Sequence, residues 1–134
     1  VSRAVLVTGA GSGIGAGIAR CLAVRGWTVL VNDLDPKAAS EVADVIDGLA
    51  LPGDAGDPQL VDRAVGLTGG LAGLVNNAGI ILRAALSDLD AAGVDHCLAV
   101  NLRTPMLLAK AALPHLQASG GSVVNVASMT SESP

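Results

Sequence analysis

Residues 5–15, VLVTGAGSGIG, constrain the fold more than any other stretch of this chain. Four apolar or β-forming residues, Val5, Leu6, Val7 and Thr8, run straight into four glycines within seven positions. A periodic segment follows, in which Ile14, Ile18, Leu22 and Arg25 step by three or four residues before Gly26 ends the helix. Strand, tight turn and helix start together form the arrangement in which backbone N–H groups and a helix N-terminus meet an anion. Gly9 is expected to take dihedrals closed to other residues, and Gly13 and Gly15 to let the backbone approach a ligand or the sheet. A turn that binds nothing could carry the same glycines. Asp33 favours a ligand, because it follows Gly13 by 20 residues, close to the separation of an acid that grips a ribose hydroxyl.

The alternation continues along the chain. Residues 5–8 read as the first strand and 28–31 as the second, which ends at Asn32-Asp33. Asp35 before Pro36 is an N-cap with proline at the first helical position, opening a helix to about Ile46 with Ala39, Val42 and Ile46 on one face. Residues 49–51 form a weak third strand before Gly53-Asp54. Asp57-Pro58 repeats the cap signal and opens a helix toward Leu67, broken at Gly69-Gly70. Residues 71–75 are the fourth strand, ending in Asn76-Asn77-Ala78-Gly79. Ser87 and Asp90 resemble a capping box for a long helical region toward Leu113, irregular near Gly93 and Pro105, with Pro114 close to its end. Residues 122–126 are the fifth strand, closing on Ala127-Ser128. Such alternation predicts an α/β fold with a doubly wound parallel sheet and right-handed crossovers. Ligands of such sheets lie beyond the carboxyl ends of the strands, here Gly9, Asp33, Asp54, Asn76 and Ser128.

Composition supports a buried parallel sheet: of 134 residues, 51% are apolar, only 15% are charged, and 17 are glycine. This length fits one domain, residues 1–134. A net charge of −4, with no basic or aromatic-interleaved patch, argues against nucleic acid as a partner. Cys21 and Cys97 form neither a metal pattern nor a disulfide framework, so no metal is expected and a reducing, cytoplasmic setting is. The sequence shows no signal-type segment and no apolar stretch of membrane-spanning length, which predicts no membrane partner.

The turn is not a phosphate loop for ATP or GTP, since Ile14 and Gly15 stand near the required lysine and hydroxyl. Nor is it G-x-G-x-x-G, whose last position falls on Ile14 or Ala16. What remains is TGxxxGxG, residues 8–15. With it, the chain resembles the classical short-chain dehydrogenases/reductases over essentially its whole length, and the resemblance rests on several motifs in order. These are TGAGSGIG at 8–15, Asp54 with Ala55, NNAG at 76–79, Asn101, and GSVVNVAS at 121–128.

The resemblance implies a Rossmann-like fold with strand order 3-2-1-4-5 and NAD as cofactor. Gly9, Gly11, Ser12, Gly13, Ile14 and Gly15 would line the cofactor loop, with Asp33 and Leu34 at the adenosine ribose and Asp54 and Ala55 at the adenine. Asn77, Ala78, Gly79 and Val100 would flank the nicotinamide side. Ser128 would be the catalytic serine and Asn101 the helix asparagine that helps hold a water in a proton relay. A carboxylate at Asp33 accepts hydrogen bonds from ribose hydroxyls and repels a 2′-phosphate, so NAD(H) is expected over NADP(H). Blander readings stand beside these: Asp33 and Asp54 as turn residues, Asn101 as a satisfied core amide, Asn76 and Asn77 as bridges between strand ends. His96 and His115 read as helix residues lying away from the site, without a catalytic role. Trp27 is expected to pack at a helix-to-strand junction, and Ile80, Ile81 and Leu82 to border the cofactor pocket or pack on a helix.

The family's tyrosine and lysine, its proton-transfer pair, fall beyond Ser128, and this chain has no tyrosine. In the order 3-2-1-4-5 the fifth strand is an edge, and Val123, Val124 and Val126 make it an apolar, unprotected ribbon. Both observations lead to the expectation of a longer polypeptide whose later strands are absent from this sequence. The lead reading is an NAD-dependent oxidoreductase acting on a small secondary alcohol or ketone, as a homodimer or homotetramer. A non-catalytic dinucleotide-binding or regulatory protein is the alternative, as is a structural subunit whose long helix packs across an interface.

Overall fold

In the computed structural model, which describes residues 3–128, five parallel strands stand in the order β3-β2-β1-β4-β5. The strands are β1 (Ala4–Val7), β2 (Thr28–Val31), β3 (Leu49–Ala50), β4 (Gly73–Asn76) and β5 (Ser122–Asn125). Between them run α1 (Gly13–Val24), α2 (Pro36–Ile46), α3 (Leu60–Thr68), α4 (Ala91–Leu98) and α5 (Thr104–Ser119). The sheet order and the Rossmann-like class are those expected from the sequence.

Side chains alternate across the pleat, so each strand feeds two cores. Leu6, Leu30 and Leu74 face one way, against Leu60, Val61 and Ala64 of α3 and Leu108, Ala112 and Leu116 of α5. Val5, Val7, Val29, Val31 and Val75 face the other way, against Ala16 and Ala19 of α1 and Ala39, Val42 and Ala43 of α2. Small residues on α1 and α2 bring those helices close to the sheet, which the alanine- and glycine-rich sequence makes possible. Trp27 does sit at the α1-to-β2 junction, where the Arg3 guanidinium lies 5.4 Å above its ring.

Local chemistry explains where the boundaries differ from the sequence expectation. Asp35 caps α2 by accepting from the N–H groups of Lys37 and Ala38, with Pro36 following as expected. Asp57 instead closes a tight turn, accepting from Gln59 N–H, and α3 begins only at Leu60. Asp90, not Ser87, caps α4 by accepting from Gly93 N–H. Ser87 lies in a short 3₁₀ turn, with its hydroxyl turned to Asp88.

The irregularity of the long helix falls on Ala99–Arg103, a π-helical turn between α4 and α5. Pro105 has no N–H to offer the Asn101 carbonyl four residues earlier, and the wide turn accommodates that loss. Pro114 does not end α5. Leu108, Ala112 and Leu116 recur every four residues against the sheet and carry the helix through to Ser119, where Gly120 at φ 65° stops it.

Candidate dinucleotide-binding site

The glycine turn works by conformation at two positions and by close approach at others. Gly9 has φ +60° and Gly13 φ +52°, both left-handed. Gly13 has nothing within 4 Å of where a Cβ would stand, so no protein atom crowds it and the structure requires glycine there by conformation. Gly15 meets the expectation of crowding: a Cβ there would run into the Gly9 carbonyl and the Asn77 amide. At Gly9 a Cβ would come 2.9 Å from the Ala78 Cα. The turn and the loop after β4 are therefore in direct contact.

Hydrogen bonds lock that contact. The Thr8 hydroxyl accepts from the N–H groups of Asn77 and Ala78, each at 3.0 Å. The Asn77 amide donates to the carbonyls of Thr8 at 3.0 Å and Gly9 at 3.1 Å. Asn77 thus bridges the ends of β1 and β4, as the sequence suggested. Asn76 turns the other way, donating to Asn125 Oδ1 at 2.8 Å across to β5 and to the Pro105 carbonyl at 3.4 Å.

Asp33 closes the site at the end of β2. Its Oδ2 accepts from Gly11 N–H at 2.9 Å and its Oδ1 from Asp35 N–H at 3.0 Å, so the carboxylate is held against the turn. Gly11 packs on Asp33 and Ala38, where a Cβ would approach both to 2.8 Å, and its N–H holds the acid.

A cleft of about 420 Å³ lies over these strand ends. Gly9, Ser12, Gly13, Ile14 and Gly15 line it from the turn, and Asp33, Leu34, Asp54 and Ala55 from the ends of β2 and β3. Asn77, Ala78, Gly79 and Val100 line it from the side of β4 and the π turn. The donor chemistry fits a diphosphate: Ser12 caps α1 with no side-chain bond, and the first turn of that helix carries no acidic residue. Asp54 spends Oδ1 on Gly56 N–H at 2.7 Å, so it is a turn residue and a lining residue at once.

Asn101 and Ser128 line a second cleft of about 780 Å³, which shares Ile14 and residues 77–80 with the first. Asn101 is not the buried amide expected. It is exposed, on the π turn, and pairs with both backbone groups of Ile80, accepting from its N–H at 2.9 Å and donating to its carbonyl at 2.8 Å. Its side chain clamps the loop after NNAG. Of the three residues expected to border the cofactor pocket or pack on a helix, Ile80 lines both clefts, Ile81 lines only this second one, and Leu82 lines neither.

Sequence reasoning passed over three lining or supporting residues. Asn32 is 1% exposed and lines the first cleft, and its signal was a polar residue closing an otherwise apolar strand. His96, expected to lie away from the site, lines that cleft one turn before Val100. Arg63 reaches the loop before Asp54 from α3, with nothing in the local pattern to mark it. Among the described residues no group of His, Cys, Asp or Glu could hold a metal ion, and no helix is long and apolar enough to cross a membrane.

Comparison with known proteins agrees with this geometry. The family model for short chain dehydrogenases matches residues 3–134. A Thermotoga maritima protein described as an uncharacterized oxidoreductase is 37% identical over 94% of this chain and 53% of its own length. A cis-4-hydroxycyclohexanecarboxylate dehydrogenase of Sinomonas cyclohexanicum is 39% identical over 95% of this chain and 55% of its own. A mutant of a Serratia marcescens short-chain dehydrogenase/reductase superposes with a TM-score of 0.91 at 30% identity, covering 98% of this chain and 58% of that one. The chain therefore spans about half the length of the curated relatives it matches.

Proposed function

Since the chain belongs to the short-chain dehydrogenase family, we propose that it forms the cofactor-binding part of an NAD-dependent oxidoreductase acting on a small secondary alcohol or ketone. One observation carries this reading: the glycine turn, Asp33 and Asp54 line a single cleft, and Asp33 is fixed to the turn by the Gly11 N–H. Backbone N–H groups at the N-terminus of α1, where Ser12 caps the helix, receive the diphosphate, while the N–H groups of Ala10 and Gly11 hold Asn32 and Asp33. Asp33 accepts from the adenosine ribose, and its charge excludes a 2′-phosphate. Asp54 and Ala55 face the adenine. Asn77, Ala78 and Gly79 lead toward the second cleft, where the Ser128 hydroxyl donates to the substrate oxygen as charge develops on it. Asn101 holds the loop at Ile80 beside that oxygen and supports the relay. When bound, the nicotinamide supplies or takes up the hydride.

None of the 134 residues is assigned the proton transfer. The exposed leucine-rich side of the helix, with Leu98, Leu102, Met106 and Leu107, suits a homodimer or homotetramer. The setting proposed is the cytoplasm.

Fluorescence titration with NADH and NADPH tests the reading. NADH should bind more tightly, and Asp33→Ser should cut the preference by about tenfold, the scale of one like-charge contact in a partly desolvated site. Equal binding of the two by the unaltered protein would sink the NAD assignment, and binding of neither would sink the whole reading.

A further inference from the structure

Placing Asp54 and Ala55 against adenine rests on the function proposed above; what holds those two residues in place is a separate question. They stand in residues 52–57, outside any helix or strand, after a β3 only two residues long at the sheet's edge. Gly53 within that loop has φ +133°, a conformation that L side chains rarely adopt. The segment has little regular structure of its own to fix it.

Two side chains reach it from opposite sides. From within the sheet, the buried Asn32 amide donates to the carbonyls of Leu51 and Gly53, both at 3.0 Å. From α3, Arg63 Nη2 donates to the Pro52 carbonyl at 2.9 Å, while Nη1 lies 3.9 Å from Asp57 Oδ2. Three successive carbonyls are thus taken by Asn32, Arg63 and Asn32 in turn. The Gly53 N–H donates to the Asp33 carbonyl at 2.9 Å, which ties the same loop to the residue read as the ribose acid. Backbone bonds of Asn32 extend the chain of contacts: its carbonyl accepts from Ala10 in the glycine turn at 2.8 Å.

We propose that Asn32 and Arg63 are positioning residues that set Asp54 relative to Asp33 and thereby fix recognition of the adenine ring. Both act through the loop. Asn32 supplies the inner support, joined by its backbone to the glycine turn. Arg63 supplies the outer one from a partly exposed position, so its removal leaves the core intact.

The test compares NADH with reduced nicotinamide hypoxanthine dinucleotide, followed by the fluorescence of the reduced nicotinamide. The two differ at purine position six, where an amino group that can donate to a carboxylate is replaced by a carbonyl that cannot. The unaltered protein should prefer NADH by about tenfold, the scale of one charge-assisted hydrogen bond. Arg63→Met keeps the aliphatic stem and removes the donors, and should reduce that preference to about threefold or less. Arg63→Lys should restore part of it, and unfolding followed through Trp27 should leave Arg63→Met close to the unaltered protein. Asn32→Leu should act in the same direction, measured below its own melting temperature.

Arg63→Met with the full preference retained, or with both dinucleotides weakened by one common factor, would overturn the proposal while leaving the dinucleotide reading standing. An unaltered protein that binds both dinucleotides equally would likewise overturn the proposal alone, because Asp54 would then not read the amino group. An unaltered protein that binds neither would overturn both.

Discussion

The two flanks of the sheet are built to different standards. β1 and β4 are buried along their whole length, each with a strand on either side. Every residue of β5 is exposed, although its sequence, Ser-Val-Val-Asn, is as β-forming as the others. α5 packs behind β4 and β5 on one face, while α1 and α2 on the opposite face pack chiefly against β1, β2 and β3. An open groove of about 560 Å³ remains there, bordered by Arg3, Val5, Trp27, Val75 and Val124. Burial of a parallel strand is thus a property of its surroundings, and strand propensity alone does not produce it. The glycine turn and the Asn77 side of the cleft hang from the buried strands β1 and β4, whereas Asp54 follows the short edge strand β3.

Substitutions can break this contrast, and the largest effect should come from the core. Leu74→Ala, at a site with 0% exposure on β4, should cost about 2–5 kcal/mol in urea unfolding followed through Trp27. Val124→Ala, at a site 54% exposed on β5, should fall within about 0.5 kcal/mol. Comparable losses at the two sites would show β5 to be covered in solution.

Gly15→Ala probes the cleft on the same flank. Its methyl would meet the Gly9 carbonyl and the Asn77 amide, and NADH affinity should fall by at least about tenfold, because a preformed site tolerates little displacement. Titration of that variant with NADH is the check. Asn101→Ala should act more mildly, costing about 1 kcal/mol for its paired bonds to Ile80 at an exposed position, with the loss read by urea unfolding.

Much of this contrast was legible in the sequence, for identifiable reasons. Hydrophobic period and glycine spacing report backbone needs, and they placed β2, α2 and the turn almost to the residue. The exposed edge followed from strand order alone. The cap of α4 was misplaced because Ser87 and Asp90 both carry capping side chains, and only the path of the chain selects Asp90. That the helix runs on past Pro114 to Ser119 was not legible, because a missing donor looks the same in sequence whether or not packing on the sheet compensates for it.

In the cleft, most lining residues stood in the glycine turn or at strand ends and could be named in advance, whereas His96, reaching in from α4, could not. Nor could the supports of these residues. Asn32 and Arg63 act on carbonyls 19–21 and 11 residues away in sequence, and no local pattern encodes such pairings. Gly11 shows the converse: a motif glycine whose task is to present an N–H to Asp33 across 22 residues.

The most direct test of the central claim is an amide-by-amide map of NADH binding by heteronuclear NMR. Shifts should concentrate at residues 9–15, 33–34, 54–55 and 77–79, while Trp27, Gly73 and Val124 around the open groove stay unmoved. Shifts centred on that groove, with the glycine turn silent, would contradict the account.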